Sequence, residues 1–180
     1  MKRHIPNFIT CLNLAAGFIS IIFAFRGDTA AASWLILAAM AFDFLDGLTA
    51  RLLGAYSETG KELDSLADVV SFGVAPAVII FIFLEEALGL SGTSLNIAAG
   101  TPSPIITLIT VIMPVCAALR LAKFNVDPGQ KTSFRGLPTP ANALAVISLV
   151  LAEHYGSSSV IDSFTGSSAA LIIFTILTSL

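Results

Sequence analysis

The chain has 180 residues, of which 56% are hydrophobic and only 12% charged, whereas an ordinary soluble domain carries about 25% charged residues. With a mean hydropathy of +0.89, a soluble globule is excluded in favour of an all-α, polytopic membrane bundle read as a single domain over 1–180, because at about 20 residues per span little chain is left for anything else. Nine Lys and Arg against twelve Asp and Glu, a net charge of −3, exclude nucleic acid as the main partner, since phosphate neutralisation needs a surplus of cations.

In chain order, the first predicted span runs from Ile5 to Phe25 behind Met-Lys-Arg-His. A cleaved leader would also open on basic residues and an apolar core, with Ala30-Ala31-Ala32 as a weak cleavage site. Against it, the apolar run is too long for a leader and the rest of the chain is equally membranous. The second span covers Ala30 to Leu53 and the third Leu63 to Leu84; Gly89 to Ser103 reads as a loop. The fourth covers Pro104 to Phe124 and the fifth Pro140 to Tyr155, short at its end, followed by a Gly, Ser and Thr loop. A sixth begins near Ser168 and is still apolar at Leu180. Thirteen residues cannot cross a hydrocarbon core of about 30 Å at 1.5 Å per residue, so the sequence is expected to continue. Cys11 and Cys116, with no CxxC spacing or His partner, read as small buried hydrophobes.

Placing the N-terminus in the cytoplasm puts Lys2, Arg3, Arg51, Lys61, Arg120, Lys123, Lys131 and Arg135 inside and only Arg26 outside, a strong positive-inside bias. Asp28, Glu85, Glu86, Glu153 and Asp162 then fall outside as solvated loop charges.

Asp43, Asp46, Asp64 and Asp68 lie on spans two and three or at their inner ends. Acids at membrane depth are costly and are functional candidates by default. On a helix Asp43, Asp46, Gly47 and Ala50 share one face, and Asp64 and Asp68 stand one turn apart on the next, with Gly60 a turn earlier. Two helices joined by a short loop are expected to pack antiparallel and bring the four carboxylates together. Such a cluster calls for cations, and hard oxygen ligands favour Mg²⁺, Mn²⁺ or Ca²⁺ over Zn²⁺. The glycines allow close ligand approach, and Arg51 is placed to meet a phosphate. Interfacial salt bridges to Arg51, Lys61 and Lys123 are the bland alternative, and a divalent-cation channel or transporter is another. Neither accounts for the spacing of Gly47, Ala50, Arg51 and Gly60 around the acids.

The run Asp43-Phe-Leu-Asp46-Gly47-Leu-Thr-Ala50-Arg51, then eight residues, Gly60, three, Asp64, three and Asp68 resembles the signature of the CDP-alcohol phosphotransferases at every fixed position. The resemblance implies a six-helix membrane enzyme, usually a homodimer, that moves a phosphatidyl or related group from a CDP-linked donor to an alcohol and releases CMP. By position, Asp43, Asp46, Asp64 and Asp68 would hold a pair of divalent ions, with Asp68 also the general base. Asp46, Gly47, Ala50, Arg51 and Gly60 would line the donor site. Asn7 and Thr10, on one face of the first helix with Asn13, could touch the nucleotide or hydrogen-bond between helices.

Four less specific stretches resemble the phosphatidylserine synthase branch: the opening Ile5-Pro6-Asn7, the Ser71-Phe72-Gly73 segment after Asp68, and the two runs Arg120-Leu-Ala-Lys123-Phe-Asn125 and Phe134-Arg135-Gly136-Leu137-Pro138. That branch implies CDP-diacylglycerol as donor, L-serine as acceptor, and a site facing the cytoplasm in the inner membrane. Arg120, Lys123 and Arg135 are the cations available for the serine carboxylate, with Asn125 and Ser71 for neutral hydrogen bonds. A sibling using glycerol 3-phosphate or inositol would need the same aspartates.

Overall fold

The computed structural model describes residues 4–89, 104–126, 138–156 and 158–179, and all its regular elements there are helical. They are α1 (His4–Phe25), α2 (Thr29–Leu53), α3 (Glu58–Asp68), a π-helical turn (Val69–Val74), α4 (Ala75–Ala87), α5 (Pro104–Val126), α6 (Thr139–Tyr155), α7 (Ser159–Thr165) and α8 (Ser168–Ser179). Four stretches among the described residues are long and apolar enough to cross a membrane: α1, α2, the continuous Glu58–Ala87 and Ile106–Val126. The protein is an integral membrane helical bundle.

The expected fifth and sixth spans take a different form. With 17 residues, α6 rises only about 25 Å. The loop predicted before the last span contains α7, which meets the 12-residue α8 at a bend of 81°. Taken together, α7 and α8 are apolar enough for one broken span or a re-entrant loop. Most of the loop predicted after Gly89 lies outside the described residues.

The Glu58–Ala87 stretch is the centre of the bundle, with 61% of its apolar window buried against 22–33% for the other three spans. Phe72, Ile79, Ile80 and Leu84 are fully enclosed, meeting Ile36, Met113, Ile147 and Leu171 from the surrounding helices. Phe8, Phe18, Phe44, Leu52, Leu108 and Leu119 point outward as a lipid-facing coat. Cys11 is exposed on this outer surface rather than buried, and Cys116 is half-buried; both are free thiols.

In lipid there is no hydrophobic force between helices, so association depends on close backbone approach and hydrogen bonds. The sequence of α1 supplies both on one face, where Pro6, Thr10, Asn13, Gly17, Ser20 and Ala24 recur at three- and four-residue intervals and are all buried. Ser20 Oγ donates to the Ala32 carbonyl of α2 at 2.8 Å, where Ala30, Ala32 and Ala39 are also buried. On its other flank α1 runs parallel to α3 and the π-turn, pairing Asn7 with Gly60, Asn13 with Asp68 and Gly17 with Ser71. α2 and α3 run antiparallel, as expected, but not in direct contact along their length. Both pack on α1 and make few direct contacts with each other, and the space between them becomes the site.

The link between α2 and α3 is short because each end is locally satisfied. Gly54 takes the left-handed conformation (φ 57°) that closes α2, and Ser57 caps α3 by accepting the Gly60 N–H at 3.0 Å. On the far side of the central stretch, α5 runs antiparallel. Asn125 Nδ2 donates to Ser65 Oγ at 2.8 Å and Lys61 Nζ to the Asn125 carbonyl at 3.2 Å, while Gly73 faces Ala117 and Pro114.

A Cβ added at Gly17 would stand 2.7 Å from Ser71 Cα and 2.3 Å from its Oγ. Gly17→Ala should therefore cost about 1–3 kcal/mol by overpacking, more than the ~1 kcal/mol of helix propensity it gains. A lower melting temperature in detergent is expected; an unchanged one would mean that α1 and the π-turn separate cheaply.

Candidate active site

Local backbone geometry places each acid. Asp43 and Asp46 project from the second half of α2, and Asp64 and Asp68 from successive turns of α3. Immediately after Asp68 the helix widens, with the Ala75 N–H reaching back five residues to the Val70 carbonyl. Such π-turns are often found at functional positions. Here the turn brings Ser71 against α1, where its hydroxyl donates to the Asn13 carbonyl at 3.0 Å.

Carboxylate oxygens of Asp43, Asp64 and Asp68 lie within 4.8 Å of one another. Asp46 stands outside this trio, one turn along α2, and is buried together with Asp68. Asp68 Oδ1 accepts a 3.3 Å hydrogen bond from Asn13 Nδ2. Two buried oxygens in the group, Asp46 Oδ2 and Asp64 Oδ1, have no hydrogen-bond partner. Lys61, one cation the bland alternative would pair with these acids, donates to the Asn125 carbonyl.

Two cavities open beside the acids. The first, of about 210 Å³, is lined by Asn7, Thr10, Asp46, Gly47, Ala50, Arg51 and Gly60, the full set of residues assigned to the donor from the sequence, and also by Asp64. The second, of about 360 Å³, shares Asp46, Gly47, Arg51 and Asp64 with it and adds Asp43, Phe44 and Leu48. The pair thus forms a divided groove whose shared lining holds carboxylates, the Arg51 guanidinium and bare glycine backbone, with the exposed Phe44 and Leu48 beside the second cavity.

Glycines 47 and 60 do different work. A Cβ at Gly60 would meet Asn7 Oδ1 at 3.0 Å and Ser57 Oγ at 2.9 Å, so this glycine lets α1 and α3 close. At Gly47 nothing lies within 4 Å, leaving bare backbone open to a ligand.

The residues assigned to an acceptor are more dispersed. Ser71 is fully buried and lines neither cavity. Asn125 ties α5 to α3, and Lys123 is exposed near the end of α5. Arg120 donates to the Ser179 carbonyl of α8 at 3.1 Å; the pairing of Ser65 with Asn125 and of Gly73 with Ala117 puts it at the depth of Val70, two residues past Asp68. Arg135 lies outside the described residues. Sequence reasoning missed Tyr56, Ser57 and Lys61, which also line the first cavity. Tyr56 and Ser57 fall in the eight-residue interval of the signature and Lys61 in the three-residue interval after Gly60, where spacing gives no information.

The sequence profile of the CDP-alcohol phosphatidyltransferases matches residues 3–180. The chain belongs to this family. Among its relatives, a CDP-diacylglycerol--serine O-phosphatidyltransferase of Mycobacterium leprae is 42% identical over 81% of this chain and 46% of its own length. An archaetidylserine synthase of Methanothermobacter thermautotrophicus is 38% identical over 86% of this chain and 61% of its own. A CDP-diacylglycerol--serine O-phosphatidyltransferase of Helicobacter pylori is 34% identical over 83% and 58%. The chain therefore spans about half the length of the relatives it matches.

Because the space at Gly47 is empty, Gly47→Ala should leave the melting temperature unchanged or slightly raised, in contrast to Gly17→Ala. A marked loss of stability would show that Gly47 is needed for helix packing instead.

Proposed function

We propose that the protein transfers the phosphatidyl group of CDP-diacylglycerol to the hydroxyl of L-serine, giving phosphatidylserine and CMP. The observation that carries this is the convergence of Asp43, Asp64 and Asp68 within 4.8 Å beside a groove that contains Arg51 and the open backbone of Gly47. The acceptor is supported by the relatives, whose names share a serine product although their lipids differ. The positive-inside bias supports a groove facing the cytoplasm, in the inner membrane, and the family resemblance supports a homodimer.

The donor set suits divalent cations. Asp43, Asp64 and Asp68 would hold them with Asp46, whose partnerless buried oxygen, like that of Asp64, is available to a cation. Oxygen-only ligands favour Mg²⁺ or Mn²⁺, with Ca²⁺ a further fit, and two ions match the four acids. When bound, such ions neutralise charge on the pyrophosphate and on the departing CMP.

The remaining work belongs to the chain. Arg51 faces the donor phosphates, Asn7 and Thr10 border the nucleotide, and the lipid tails stay at the Phe44 and Leu48 edge. The serine hydroxyl, with a pKa far above 7, needs a base. Asp68 accepts its proton as the serine oxygen bonds to phosphorus and the phosphorus–oxygen bond to CMP breaks, with the electron pair leaving on CMP. Direct attack is favoured because no Cys or His lines either cavity and Ser57 is engaged as a helix cap. Arg120, level with the π-turn, receives the serine carboxylate, with Lys123 and Arg135 adding positive charge.

Formation of labelled lipid from CDP-diacylglycerol with Mg²⁺ or Mn²⁺, offering serine, glycerol 3-phosphate and inositol in parallel, tests the reaction. Product with serine alone is expected; product with another alcohol would keep the aspartate chemistry and remove the acceptor assignment. Asp68→Asn should lower turnover by about 10²–10⁴-fold and keep the Mn²⁺-dependent thermal shift given by CMP, whereas Asp43→Asn and Asp64→Asn should lose both. Normal turnover in Asp68→Asn would take it out of the mechanism. Arg120→Ala should raise the serine KM far more than the donor KM; equal effects would place Arg120 elsewhere.

A further inference from the structure

Asn13 is fully buried on α1, and Asn142 is buried on α6. The Asn13 Nδ2 donates to Asp68 Oδ1 at 3.3 Å, while its Oδ1 has no partner. A buried amide with an unpaired oxygen carries a desolvation cost that an apolar residue would avoid. The buried Asn142 also has a partnerless Oδ1, so what sets Asn13 apart is that its amide is bonded to an acid of the site.

The surrounding geometry is rigid. The Asn13 carbonyl accepts the Ser71 hydroxyl at 3.0 Å, and one turn further along, Gly17 brings the α1 backbone against Ser71 Cα. One stretch of α1 thus grips the central helix at Asp68 through a side chain and at the π-turn through its backbone. Asp68 lines neither cavity itself but stands within 4.8 Å of Asp43 and Asp64, which do, and with its Oδ1 held, rotation of the carboxylate is restricted.

We infer that Asn13 is a positioning residue that fixes the Asp68 carboxylate in its working orientation. The inference rests on the reaction proposed above. Outer hydrogen bonds of this kind commonly change activity by about 10–100-fold when removed.

The test uses the full chain in detergent with Asn13→Ala and Asn13→Leu. Leucine is close to asparagine in shape and has no donor, so it preserves packing should the alanine variant fail to fold. Both variants should lose about 10–100-fold in kcat with serine, while the CDP-diacylglycerol KM and the thermal shift given by CMP with Mn²⁺ stay within about twofold. In an Asp68→Ala background, Asn13→Ala should lower the melting temperature less than it does in the unaltered chain, because the two side chains then no longer interact.

A kcat within about twofold of the unaltered enzyme, a parallel loss of kcat and CMP binding, or additive melting shifts would each overturn the inference. If the unaltered chain forms no product with any alcohol, the proposed reaction falls and this inference with it. An active enzyme indifferent to Asn13 removes the inference alone.

Discussion

Three carboxylates held within 4.8 Å of one another at membrane depth are the constraint to which the rest of the structure answers. At an effective dielectric of 20 each ionised pair at that distance repels by roughly 3–4 kcal/mol. Packing two helices directly together would place these acids against apolar side chains with nothing between them. The fold instead holds α2 and α3 apart on a third helix and leaves a groove where water, cations and a charged ligand can reach the oxygens. Repulsion among the acids is thus tied to the existence of the groove.

Helix α1 makes that separation possible. Its stripe of small and polar residues allows close contact with α2 on one flank and with α3 and the π-turn on the other, where bulky side chains would keep all three helices apart. The same stripe supplies Asn7 and Thr10 to the groove and Asn13 to Asp68. Packing and site are therefore not independent designs. The π-turn extends the coupling, since the extra residue in its ring shifts the register of the central helix between Asp68 and the apolar core that starts at Phe72. Asp64 can then face the groove, with Asp68 beside it, while Ile79, Ile80 and Leu84 face the centre of the bundle.

Much of this was legible in the sequence, for reasons that differ by residue. Asp43, Asp46, Asp64 and Asp68 could be grouped because helical periodicity fixes which side chains share a face and the membrane makes an acid conspicuous, while Arg51 was assigned to the donor through the spacing of the family signature. Span limits were legible for the same reason, and α1, α2 and α5 begin within a residue of their predicted starts. The mediation by α1 was not: a small-residue stripe tells that a face is packed without telling against what. The π-turn was hidden because Val69-Val70-Ser71-Phe72-Gly73-Val74 is equally compatible with an ordinary helix. Ser71 read as a ligand-facing hydroxyl, but the turn directs it to the α1 backbone. The Ser- and Gly-rich segment before the last span concealed α7, a helix too short to carry a clear periodic signal.

The groove also has an asymmetry that bears on the proposed chemistry. Its acids and Arg51 lie toward the helix ends that hold most of the basic residues, while Phe44 and Leu48, 69% and 40% exposed, stand at its outer edge. A ligand with a charged nucleotide and two acyl chains has the same division. Its apolar part need not leave the bilayer for its pyrophosphate to reach the carboxylates, so binding does not require the tails to be desorbed, which at about 0.8 kcal/mol per CH₂ would dominate the energetics. A water-borne acceptor would meet the opposite situation, entering from the polar side where α3 and α5 are joined by Lys61, Ser65 and Asn125. Two substrates of opposite solubility can then share one reacting centre because the carboxylates sit where the lipid edge and the aqueous end of the groove meet.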